Sequence, residues 1–187
     1  MNKNLRNNLI FISILLLLVI LKLSNNKSNR TSSELIYEGD KNSITKIIIS
    51  QKENSIELLN DESGWNISGN DTLIVKQERI DKFFDNVLGC KKQTLLSTDK
   101  DQWPVLSVDD SSGTHVSIFN KNDDKLAHYI FGRSKIDFQR NNIRIGENPN
   151  VYLTNKNVIN DIFPRDTFWG EKPKNIISES DSLKLSN

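Results

Sequence analysis

An uncharged apolar run from Leu9 to Leu21 stands apart from the long polar remainder of this 187-residue chain, and so limits where a fold can form. Lys3 and Arg6 precede the run and Lys22 closes it. At about 1.5 Å per residue it spans roughly 20 Å, short of the ~30 Å hydrocarbon core of a bilayer. Lys22 can lay its stem along lipid and carry the span to Leu23. Residues 22–28 hold no Ala-x-Ala cleavage pattern and no Cys for lipoprotein processing. Its length also suits the h-region of a cleaved signal peptide, but the run is expected to be an uncleaved signal anchor, a transmembrane helix within residues 1–23 that contacts the membrane from Leu9 to Leu23. Positive charge stays on the cytoplasmic side, which would make the chain a single-pass protein of a bacterial inner membrane. Residues from about Ser24 onward would then lie outside the cytoplasm.

The chain carries 25 basic and 24 acidic residues; setting Lys3, Arg6 and Lys22 aside leaves 22 basic against 24 acidic, a net of about −2. A near-neutral domain has no electrostatic footprint for nucleic acid, which is excluded as a partner. The one cysteine, Cys90, cannot form an internal disulfide, so packing alone must hold the fold. Cys90 follows Gly89 at a predicted helix end and is expected to be buried and inert.

Residues 24–40 are polar and read as a stalk. Residues 44–50, rich in β-branched side chains, and residues 55–60 read as a strand hairpin, followed after a turn at Gly64 by a short strand at Trp65. Ile80, Phe83, Phe84, Val87 and Leu88 recur at helical spacing, with Gly89 as a C-terminal stop. Strands are expected at residues 93–97, 114–119, 125–131, 138–145 and 150–154. A second helix is expected to begin near Asn155 and to present Val158, Ile159, Ile162 and Phe163 before Pro164 ends it. Two passes of strands followed by a helix suggest a duplication, with Ile80, Phe83 and Phe84 matching Ile159, Ile162 and Phe163. Residues 173–187 read as a polar tail.

The stretches Gly64-Trp65, residues 80–88, Gly113-Thr114-His115-Val116, Ile130-Phe131-Gly132-Arg133, Asn142-Ile143-Arg144-Ile145, Asn150-Val151-Tyr152-Leu153 and Phe168-Trp169 follow one another in a familiar order. That order resembles a bacterial family called domain of unknown function 4340, over roughly residues 41–172. Gly170 stands where members often have Arg, and Asn142 where an aromatic is common. The resemblance implies a membrane-anchored domain, in some members associated with ABC-type export or gliding-motility machinery. It brings no catalytic residues.

Chemistry-bearing residues are few. His115 and His128 fall on adjacent predicted strands, but neither Cys-x-x-Cys nor His-Glu-x-x-His accompanies them to make a zinc site. Asp109-Asp110 and Asp123-Asp124 lack the alternation and closing Glu of a Ca²⁺ loop and read as solvated turns. Trp65, Trp103 and Trp169 could line a ligand groove or seal core edges. Arg133 and Arg144 could meet an acidic partner or simply sit on a strand surface. No catalytic, cofactor-binding or metal residue is assigned, and no cofactor is implied.

The sequence thus predicts an α+β domain at residues 41–172, with antiparallel strands in one or two sheets, two packed amphipathic helices and a repeated β-rich/α plan. The expected role is a non-enzymatic, membrane-anchored module outside the cytoplasm that binds a protein partner in an envelope complex. The alternative is a small-ligand or glycan-binding periplasmic module.

Overall fold

The computed structural model describes residues 12–14, 16 and 33–173. The strands form two meanders. The first runs β2 (Lys46–Gln51), β3 (Asn54–Asp61) and β4 (Gly64–Ile67), with Gly64 supplying the positive φ of 105° that its turn requires. The second runs β7 (Thr114–Phe119), β8 (Lys125–Arg133), β9 (Asn141–Ile145) and β10 (Val151–Thr154). Across the seam Ile47 lies opposite Ile118 and Ile49 opposite Val116, so the meanders fuse through β2 and β7. β6 (Lys91–Ser97) adds to β10, and the two-residue β1 (Glu34–Leu35) adds to β6. The result is one nine-stranded sheet, antiparallel at every pairing, in the order β1-β6-β10-β9-β8-β7-β2-β3-β4.

One face of this sheet carries the main core: Ile47, Ile49, Ile56, Leu58, Val116, Ile118, Tyr129, Phe131 and Ile143. Helix α1 (Gln77–Lys82) runs into a π-helical turn (Phe83–Val87) and lays Ile80, Phe83, Val87 and Leu88 onto that face. The wider turn closes with the Leu88 amide donating to the Phe83 carbonyl. Its glycine is required by proximity rather than by handedness, because a Cβ on Gly89 would collide with the Asp85 carbonyl oxygen. Ile36 and Tyr37 close one side of the core, with the buried Tyr129 hydroxyl donating to the Ile36 carbonyl at 2.8 Å.

The expectation of an α+β domain with two packed amphipathic helices is corrected: a single large antiparallel sheet dominates, and the helices are few and short. The segment expected as the second helix holds only a 3₁₀ turn at Ile159–Asp161, before the one-turn α2 (Asp166–Trp169). Its backbone groups are taken by the end of the sheet. Asn141 Oδ1 accepts from the Val158 amide at 2.7 Å, and Thr154 Oγ1 donates to the Lys156 carbonyl at 2.8 Å. Asn155, the expected helix cap, instead accepts from the Lys91 amide at the start of β6. Val158, Ile159 and Ile162 are buried nonetheless. The repeat falls with the helix, since the first pass is three strands and a helix while the second is four strands without a comparable one. A two-stranded patch of β5 (Ile74–Val75) and β11 (Gly170–Glu171) ties the chain after α2 to the first meander.

Among the described residues no helix is long and apolar enough to cross a membrane. This corrects the transmembrane signal anchor expected from Leu9 to Leu23, and with it the single-pass inner-membrane placement. The uncharged run in the sequence is thirteen residues, fewer than the roughly 20 that a spanning helix needs. Most of that run, residues 17–32 of the expected anchor and stalk, and residues 174–187 of the expected tail lie outside the described residues; Ile12, Ser13, Ile14 and Leu16 are helical and exposed. Within the stretch read as stalk, Glu34 and Leu35 pair with Lys92 and Lys91, and Ile36 and Tyr37 are buried.

Gly89→Ala is expected to cost about 1–3 kcal/mol, because the added methyl meets a backbone oxygen that cannot rotate aside. Urea unfolding of the variant beside the parent chain measures it; an unchanged midpoint would refute the packing account of the π-turn.

Candidate functional site

The hairpin between β8 and β9 closes over residues 134–140 and is built rather than loose. Arg133 lies opposite Asn141 in the last register pair. The buried Ser134 Oγ accepts from the Asp137 amide at 3.1 Å. The Asp137 carboxylate accepts from Arg140 Nε at 2.6 Å and from the Gln139 amide at 3.0 Å, and these donors hold its pKa below the usual carboxylate range. Asn157 Nδ2 donates to the Phe138 carbonyl at 2.8 Å and pins the loop to the segment after β10. From this frame Ile136 and Phe138 project almost wholly into solvent, 86% and 81% exposed. A cavity of about 310 Å³ lies beside them, lined by Arg133, Ser134, Lys135, Phe138, Arg140, Asn141 and Asn157. The hairpin therefore combines exposed apolar side chains with a cationic recess.

A second, open groove of about 440 Å³ lies where α1 meets the first meander. Trp65 and Phe84 form one wall, their ring centroids 6.0 Å apart, and the buried Ile44 and Ile80 contribute to its lining. Lys41 Nζ donates to the Phe84 carbonyl of the π-turn at 2.8 Å. Asn42, Asn60, Gln77, Asp81 and Asp85 supply polar edges. The other two tryptophans lie elsewhere. Trp169 is fully buried, its indole donating to the Phe163 carbonyl. Trp103 stacks on Arg144 and donates to the Pro149 carbonyl.

Arg144 is fully buried on the sheet face opposite the main core. Its neighbours in register, Ile130 and Val151, pack with Val108, Trp103 and Leu106 of the long β6–β7 connection. The guanidinium donates to the carbonyls of Val108 and Gly146 at 2.9 and 2.7 Å and to Asp110 Oδ1 at 2.5 Å, with the Trp103 ring 3.8 Å away. Gly132 leaves room for the Leu106 and Ser107 carbonyls in the same contact. Arg144 thus anchors a loop, while Arg133 reaches solvent at the hairpin.

His115 and His128 do meet on this face. Their rings stack with centroids 5.4 Å apart, His115 Nδ1 lies 3.2 Å from His128 Nε2, and His115 Nε2 lies 3.2 Å from the Asp110 carbonyl oxygen. Burial, then the neighbouring His115, Lys125 and Arg144, push the His128 pKa down, against a small opposing pull from Glu147. Among the described residues no group of three or more His, Cys, Asp or Glu side chains is placed to hold a metal. Cys90 is buried with its thiol 3.4 Å from Asn155 Oδ1, and burial raises its pKa, which keeps it protonated and unreactive. At Asp109 burial works against the charge, but the hydroxyls and amides of Ser111 and Ser112 outweigh it and hold the carboxyl well below the usual range. Asp123 pairs with Lys46, and Asp124 accepts from Asn120.

Sequence reasoning missed the hairpin because Ile136 and Phe138 alternate with Lys135, Asp137 and Gln139, a strand-like pattern that placed Phe138 inside β9. Signals against that reading were Ser134 and Asp137, whose side chains favour turns. No protein-family model, curated protein or solved structure matches the chain.

Because folded His128 resists protonation, the unfolded chain takes up its proton first as pH falls. The stability that depends on neutral His128 is complete above about pH 6.5 and is lost progressively below it. Thermal unfolding between pH 7.5 and 5.5 should show a falling Tm in the parent chain and a shallower fall in His128→Gln; equal slopes would contradict this.

Proposed function

We propose that this chain is a non-enzymatic protein-binding module that joins a larger assembly through the β8–β9 hairpin. The observation that carries this reading is the pair Ile136 and Phe138, held out into solvent by a loop whose own hydrogen bonds fix it. A folded chain that spends hydrogen bonds on presenting two large apolar side chains to water has the form of a contact surface awaiting a partner. The histidines, the thiol and Arg144 are engaged within the fold, which supports a binding role over catalysis. The likeness in motif order to the domain of unknown function 4340 family points to an envelope complex of the ABC-transport kind as the assembly.

A photo-crosslinking residue at position 138, introduced in the native cell, should give one adduct of defined mass. The Ile136→Ser plus Phe138→Ser double variant should recover the same partner at least tenfold less while unfolding at the parent temperature, since each apolar anchor is worth about 1.5–3 kcal/mol when covered. Undiminished recovery would refute the hairpin as the docking element.

The groove beside Trp65 favours a second reading, a small ligand stacked on an indole with amide and carboxylate groups at its edge. Titrating neutral oligosaccharides while following tryptophan emission tests it. Saturable quenching in the parent chain, absent in Trp65→Ala, supports that reading, and a flat response up to millimolar sugar removes it.

A further inference from the structure

We propose that the hairpin recognises an acidic peptide segment with interspersed apolar side chains, its carboxylates entering the recess beside Phe138 and its apolar groups covering Ile136 and Phe138. This rests on the protein-binding reading and names the chemistry of the partner. Three cations line the recess, Arg133, Lys135 and Arg140. Only Arg140 has a carboxylate, Asp137, and that carboxylate is already filled by Arg140 and the Gln139 amide. The Arg133 and Lys135 side chains have no hydrogen-bonding or ion-pair partner among the described residues. The recess thus holds two uncompensated positive charges within a chain whose total charge is close to neutral.

The recess also offers neutral donors. The Ser134 hydroxyl accepts from Asp137 and keeps its own proton to give. Arg133 can hold a carboxylate with two parallel N–H donors, which fixes orientation as well as charge. A free anion would satisfy the cations yet leave Ile136 and Phe138 wet. A lipid surface would cover the apolar pair but would draw Asp137, which sits between them and is ion-paired to Arg140, toward hydrocarbon. A segment carrying both carboxylates and apolar side chains matches both halves of the surface at once.

Fluorescence anisotropy with the full chain and three labelled nine-residue peptides tests this. The peptides alternate Glu with Leu, Lys with Leu, and Glu with Ser. The Glu/Leu peptide should bind at least tenfold more tightly than either control and weaken as salt rises. Arg133→Gln with Lys135→Gln should reduce that affinity at least tenfold and remove most of the salt dependence. Both side chains are exposed, and unchanged thermal unfolding confirms the fold. Equal binding of the Glu/Leu and Lys/Leu peptides, abolished by Ile136→Ser plus Phe138→Ser, would overturn the acidic partner while leaving a protein-binding hairpin in place. Failure of all three peptides, together with no crosslink at position 138, would overturn both. Hairpin-dependent sedimentation with phosphatidylglycerol vesicles, and no peptide binding, would assign the surface to lipid and overturn the inference.

Discussion

Everything in this fold depends on the pairing of β2 with β7. Each meander alone presents an apolar face that its own strands cannot cover, since a sheet must pack against another layer to bury it. Joined at Ile47–Ile118 and Ile49–Val116, they make a continuous apolar surface wide enough for α1, the π-turn, the 158–162 segment and Trp169 to share. No disulfide reinforces the seam, because Cys90 is the one cysteine in the sequence and is packed into the same core. Stability is therefore a matter of contact area across one face.

The opposite face is finished differently. Over β8, β9 and β10 it is covered by the β6–β7 connection, whose contact with the sheet centres on a buried cation instead of a broad apolar layer. Arg144 donates to Val108 and Asp110 of that connection and to the Gly146 carbonyl after β9, and gives one face to Trp103, so its charge is spread over carbonyls, an exposed Asp110 and a ring. The histidine pair sits at the border of this contact, where His115 reaches the Asp110 carbonyl. The loop beyond Arg133 lies past the last register pair of β8 and β9. Its Ile136 and Phe138 are the most exposed large apolar side chains among the described residues.

Many strand positions along the chain were legible because β2 is rich in β-branched residues and turns fall at Gly64 and at the Asn120–Asp124 cluster. The stripe from Ile80 to Leu88 was legible because only a helix puts those five side chains together. What misled was a second set with the same spacing. Val158, Ile159 and Ile162 point into the core from a 3₁₀ turn, and what keeps that segment from coiling further is a side chain at Asn141, distant in the sequence. The role of Arg144 was hidden for a similar reason. It depends on strand parity and on a loop that begins some forty residues earlier, and neither is written locally. The exposed hairpin was hidden by its own alternation, which imitates a strand.

The position of β6 governs the order in which this chain can be completed. It emerges before β7, yet its place in the sheet is against β10, which ends at Thr154. A nascent chain leaving the ribosome must carry β6 with only the two-residue β1 beside it, its other edge unmatched, until nearly the entire second meander has been synthesised. Closure is thus a late, long-range event, and the interval before it is when the newborn polypeptide is most open to mispairing with its neighbours.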